Sequence, residues 1–292
     1  MGDVFSDLRR NFESGNILMK LIYINVGLFI VIRLIGVILL LFNLGSFPFL
    51  QYLQLPSSLE LLLHRPWTIF SYMFTHFDVL HILFNMLWLY WFGNLFLSWF
   101  NERQLGGLYL LGGIAGAAMF LLTYNVFPYF RNMVGYSFLM GASASVMAIV
   151  FAISFYKKEW EINLLFIGRI KLIYLASFSL LIDLLAITST NSGGHLAHLG
   201  GALVGICFAE LIDKGIDLTR PINRLVDWFV NLGKRKPTMR VTYKRSETDY
   251  EYNARKYQEK VDLDAILDKL KRSGYESLSA EEKKKLFEAS KK

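Results

Sequence analysis

Residues 21–42 read LIYINVGLFIVIRLIGVILLLF, with Arg33 as the one charged side chain among them. The hydrocarbon core of a bilayer is crossed by about 20 mostly apolar residues in helical form, so this stretch predicts a membrane-spanning helix. Composition extends that reading to the rest of the chain. Of 292 residues, 54% are hydrophobic, 15% aromatic and only 19% charged, and a soluble domain of this size carries more charge. Five more apolar stretches follow, at about 79–100, 106–127, 143–156, 170–187 and 195–212, the fourth of them short. Six spans are therefore expected. A central arginine costs about 2.5–3.5 kcal/mol on insertion scales, so Arg33 is expected to snorkel or to face the bundle. The single cysteine, Cys207, excludes an internal disulfide and argues against a cysteine metal site.

The formal charge is +7, but 20 of the 31 Lys and Arg lie after residue 212. The basic character belongs to the tail, so no nucleic-acid partner is implied. Basic connections mark the cytoplasmic side. Arg9, Arg10 and Lys20 precede span one, Arg103 lies between spans two and three, and Lys157, Lys158, Arg169 and Lys171 lie between four and five. The opposite connections hold only Arg65 and Arg131. Both termini are therefore expected in the cytoplasm, and the membrane is expected to be the inner membrane of a bacterial cell. The long connection at about 43–78 is partly apolar and is expected to hold short interfacial helices.

Four segments result: a cytoplasmic segment 1–20, the six-helix domain 21–212, an amphipathic interfacial segment 213–236, and a cytoplasmic tail 237–292. Leu218, Ile222, Leu225, Val226 and Phe229 recur near helical spacing before a basic cluster at 234–236, which suits a helix on the inner leaflet. Residues 237–258 read as a polar linker. Two short helices are expected after it, the first ended by Gly274 and the second opened by a Ser279–Glu282 capping box. No catalytic signature occurs in the tail, and its partner is unknown.

Chemistry-bearing residues cluster at one depth. All five histidines (His64, His76, His81, His195 and His198) fall in the outer connection or near the outer ends of spans. Polar groups inside a membrane are costly and are usually functional or paired. In span two, His81 and Asn85 are four residues apart and share a helix face. Span four begins within MGASASVMA (140–148), which embeds Ser143 and Ser145. In span six, His198 shares a face with Gly201 and Gly205, a ridge that permits close helix approach. A serine opening span four could thus reach His198, joining nucleophile to base. Ser145 lies about 200° around the helix from Ser143 and is expected to bond backbone. His195, after Ser192-Gly193-Gly194, is the other histidine near this site and is expected to face water. Asp183 is the only acid deep in a span and is expected to bond a neighbouring helix. One such acid, without a second, argues against an aspartyl protease, and the lack of HExxH argues against a zinc protease.

On these residues the chain resembles the rhomboid family of intramembrane serine proteases. The matches are His81 and Asn85 in HxxxN, Gly141 and Ser143 in GxS, and Ala197, His198 and Gly201 in AHxxG, in the family's order and over about residues 45–212. The resemblance implies an all-α polytopic membrane protein, a six-transmembrane-helix rhomboid-like bundle with a helical cytoplasmic tail. It implies a serine endopeptidase that cuts transmembrane or juxtamembrane segments of membrane proteins in the lipid bilayer, with its site opening to the outer side. Ser143 would be the nucleophile, His198 the general base, and Asn85, His81 and the Ser143 N–H the oxyanion donors, a dyad without a carboxylate. No metal, nucleotide or flavin cofactor is implied. The chain departs from the family pattern at Ala144, where glycine is usual, and at Met147, where many members have an aromatic. It departs also at Trp67-Thr68, where a Trp-Arg pair is usual and Arg65 stands on the other side. The competing expectation is a catalytically inactive rhomboid-like scaffold that binds transmembrane clients. A transporter is weakened by the absence of two symmetric repeats.

Overall fold

The computed structural model describes residues 12–44, 49–164, 168–232 and 248–290. Six apolar helices follow one another: α1 (Ile17–Leu41), α2 (Val79–Leu97), α3 (Glu102–Val126), α4 (Ser143–Tyr156), α5 (Leu172–Leu185) and α6 (Ser192–Ile212). Helices α1, α2, α3 and α6 are each long and apolar enough to cross a membrane, and α4 and α5 are shorter. Polar caps set the starts. Asn16 accepts the Met19 N–H at α1, Asp78 accepts the His81 N–H at α2, and Asn101 with Gln104 forms a capping box at α3. Each satisfies an amide that the first helical turn leaves without a partner.

Helix α4 is the centre. Every residue from Ala144 to Ser154 is buried, because α2, α3, α5 and α6 all pack on it. A helix that is hydrophobic all round belongs in such a position. Its tightest contact is with α6, and glycine makes that contact. A Cβ on Gly201 would collide with the Ala144 carbonyl, and one on Gly205 with the Ala148 carbonyl. The two backbones are therefore in direct contact along the ridge read in the sequence.

The connection before α2 contains the expected short helices, Leu59–His64 and Thr68–Ser71. It is tied to the start of α4 by a two-residue antiparallel pairing, β1 (Leu55–Pro56) with β2 (Phe138–Leu139). Arg33 on α1 lies over the Phe77 ring, 4.6 Å from its centroid, so it faces this connection. A second hairpin, β3 (Glu161–Leu164) with β4 (Gly168–Lys171), joins α4 to α5.

Helix α7 (Arg220–Asn231) is the predicted amphipathic helix. Its polar face docks on α3, where Arg103 donates to both Asp227 oxygens at 2.8 and 2.9 Å and Asn223 donates to the Arg103 carbonyl. Val226, Trp228 and Phe229 stay exposed. The chain divides into two compact units, Met1–Lys234 and Arg235–Lys292. In the second unit, α8 (Asp249–Ser273) and α9 (Ala280–Ala289) are joined by Lys269–Glu282 and Lys285–Asp262 ion pairs. Gly274, with φ of 77°, ends α8, and the Ser279–Glu282 capping box opens α9 as expected.

The polar linker expected at 237–258 needs correction. Residues from Asp249 onward are helical, and α8 is one helix of 25 residues rather than a short one. A Thr248–Glu251 capping box starts it and the Arg255–Glu259 pair lies along it, so it begins without an apolar stripe. Residues 237–247, the basic cluster at 234–236, and Arg9 and Arg10 lie outside the described residues.

Candidate active site

The site starts from the turn that enters α4. The Gly141 N–H donates to the Tyr72 carbonyl at 2.9 Å, and the Ala142 N–H donates to His76 Nε2 at 3.2 Å. Burial pushes the His76 imidazole down to about 4, which keeps it neutral and able to accept. Gly141 has φ of 120°, in the region that favours glycine. A Cβ there would also lie 2.7 Å from the His81 ring. The turn thus needs glycine twice, for its backbone and for the approach of His81. It leaves Ser143 as the first residue of α4.

Ser143 opens onto a cavity of about 400 Å³. Helix α2 contributes Leu80, His81, Phe84, Asn85 and Trp88, α4 contributes Ser143, Val146 and Met147, and α5 contributes Ser179, Ile182 and Asp183; Asn191 and His198 complete it. The structure therefore brings together all four residues singled out in the sequence: Ser143, His198, Asn85 and His81. Met147 joins them at the cavity wall. Ser145 is fully buried on another face of α4, with its Oγ 3.9 Å from Met73 Sδ. His64 lies outside the cavity, its Nδ1 on the Glu60 carbonyl of its own short helix.

Asp183 bonds a neighbouring helix as expected, and its partners, which the sequence did not indicate, are the two histidines of α6. One oxygen, Oδ1, lies 2.8 Å from His198 Nδ1 and 2.8 Å from His195 Nδ1. His198, expected to pair with Ser143 without a carboxylate, therefore has a carboxylate on its Nδ1. His195 is correspondingly bound to Asp183 and only partly exposed. Spacing within one helix could not reveal this, because the contact depends on the register of α5 against α6. Among the described residues, Asp183, His195 and His198 are also the group that could hold a metal ion, their ligand atoms lying within 4.8 Å of one another.

The connection before α2 is anchored although the expected Trp-Arg pair is missing from it. Trp67 Nε1 donates to the Tyr52 carbonyl at 2.8 Å, and Arg65 lies over the Tyr52 ring and donates to the Gln51 carbonyl. Both side chains thus hold Tyr52 from opposite sides of Pro66, and Arg65 holds Gln51 as well.

Comparison with known proteins agrees with this architecture. The model of the Rhomboid domain family matches residues 63–214, and the model of a family of unknown function (DUF6576) matches residues 246–292. The chain is similar to RHOMBOID-like protein 12, mitochondrial, of Arabidopsis thaliana, with 31% identity over 160 residues, 52% of this chain and 48% of that protein. It is similar also to Presenilin-associated rhomboid-like protein A, mitochondrial, of Danio rerio, with 30% identity over 144 residues, 46% of this chain and 34% of that protein. The match thus spans half or less of the length of these relatives. The Rhomboid domain match covers more than half of the chain and contains every residue that lines the cavity. This membrane protein belongs to the rhomboid family.

Proposed function

We propose that the protein is an intramembrane serine endopeptidase that cleaves transmembrane or juxtamembrane segments of membrane proteins. The observation that carries this reading is the shared cavity of Ser143, His198, Asn85 and His81. Ser143 Oγ attacks the scissile carbonyl while His198 accepts its proton. The oxyanion meets the Asn85 and His81 side chains and the Ser143 N–H. That amide is in the first turn of α4, where helical N–H groups lack intrahelical partners and the helix dipole is positive. His198 then returns the proton to the leaving amine, and water resolves the acyl-enzyme.

The length of α4 supports cleavage below the membrane surface. Its 14 residues rise roughly 21 Å, against about 30 Å of hydrocarbon. With Lys157 and Lys158 at the inner boundary, Ser143 lies on the order of 9 Å inside the outer one. A substrate helix hides its carbonyls in hydrogen bonds, so it must unwind there, and helix-weakening residues near the cut favour it. The setting we propose is a bacterial inner membrane, with both termini cytoplasmic and the cavity opening outward. The distribution of Lys and Arg carries that orientation; the mitochondrial names of the two relatives point to a different membrane for a related site.

Reconstitution in liposomes with a model transmembrane substrate tests the reading. Wild-type protein should cleave it and Ser143→Ala should not, because that change removes one oxygen and little packing. Wild-type protein that binds the substrate without cleaving it would overturn the enzyme and support a scaffold.

A further inference from the structure

We infer that Asp183 is a positioning residue whose carboxylate holds the Nδ1–H of His198 and so leaves Nε2 bare to take the proton of Ser143. The inference rests on the proteolytic reading above. An ionised carboxylate only accepts hydrogen bonds. His198 Nδ1, 2.8 Å from Asp183 Oδ1, must therefore be the protonated nitrogen. In a neutral imidazole the lone pair then sits on Nε2, the nitrogen a general base needs.

The surroundings fit a carboxylate kept ionised. Asp183 is 5% exposed, and a buried charge is costly unless it is paired and hydrogen-bonded. Two imidazole donors supply that pairing. His195 puts its Nδ1 on the same oxygen at 2.8 Å, which holds Asp183 from the outer end of α6 while His198 holds it one turn further on. His195 thereby acquires a role as support for the carboxylate, not as a second base. When Ser143 attacks, its O–H bond breaks and an Nε2–H bond forms on His198. The imidazolium so made lies against a carboxylate that keeps its charge and takes no proton.

The test uses purified full-length protein with three variants, Asp183→Asn, Asp183→Glu and Ser143→Ala. Asparagine keeps the shape but brings an N–H donor that favours the opposite tautomer. Asp183→Asn should keep KM within a few fold and lower kcat by about 10²–10⁴-fold, in the direction of the loss this exchange causes in a Ser-His-Asp triad. The rate of fluorophosphonate labelling should fall with it, and Asp183→Glu should recover part of both. In ring-15N-histidine protein, the neutral His198 signal, identified by its loss in His198→Ala, should show protonated Nδ1 and bare Nε2. Asp183→Asn turning over within a few fold of wild type, while Ser143→Ala is inactive, would overturn the inference alone. If Asp183→Asn does not fold, the wild-type tautomer decides, and a bare Nδ1 on His198 overturns the inference. A folded wild type that neither cleaves nor labels would instead overturn the proteolytic reading itself.

Discussion

Asn85 is held by its own helix and faces the cavity. Its amide donates one N–H to the His81 carbonyl a turn earlier, at 2.8 Å. That bond fixes the amide plane, and the second N–H remains for the cavity that Asn85 lines. If that donor meets the oxyanion, Asn85→Ala should lower kcat by about 10²–10³-fold with KM little changed. Steady-state kinetics on a model substrate checks this, and unchanged turnover would leave Asn85 with only its bond within α2. Residues such as Asn85, His81, Ser143 and His198 were legible because polar groups at membrane depth are few and costly, so each stands out against an apolar run. The partners of Asp183 and the bond from Ala142 to His76 were not legible. Both join residues on different elements, and the apolar sequence between them carries no mark of their register.

Helices α4 and α6 carry the geometry at the next scale. Gly201 places the α6 backbone against the Ala144 carbonyl, one residue past Ser143, and His198 is one turn before Gly201. Gly201→Ala must push the two helices apart. Overpacking of this kind costs about 1–3 kcal/mol, so the melting temperature in detergent should fall. Cleavage should fall further than stability does, because the same displacement separates Ser143 from His198. Wild-type melting and activity in Gly201→Ala would remove this contact from the account. The ridge was legible because glycines at offsets of three and seven from a histidine share its face. The start of α8 was not. Residues 249–258 have no apolar stripe, and the helix there depends on the Thr248–Glu251 capping box and on pairs such as Arg255–Glu259, which contribute little to an apolar periodicity.

The whole chain separates membrane chemistry from the tail. The Rhomboid domain match ends at residue 214, and a different family covers 246–292. All the residues lining the cavity lie in the first unit. Deleting residues 237–292 should therefore leave cleavage of a model substrate within a few fold of the full chain. A loss as deep as that of Ser143→Ala, in protein that is still folded, would make the tail part of the catalytic unit. The most direct measurement of the central claim is the location of a fluorophosphonate adduct on purified full-length protein by peptide mass spectrometry. The account predicts one adduct, on Ser143, absent in Ser143→Ala and in His198→Ala and retained in Ser145→Ala. An adduct on Ser145 or elsewhere, or labelling that persists in Ser143→Ala, would contradict it.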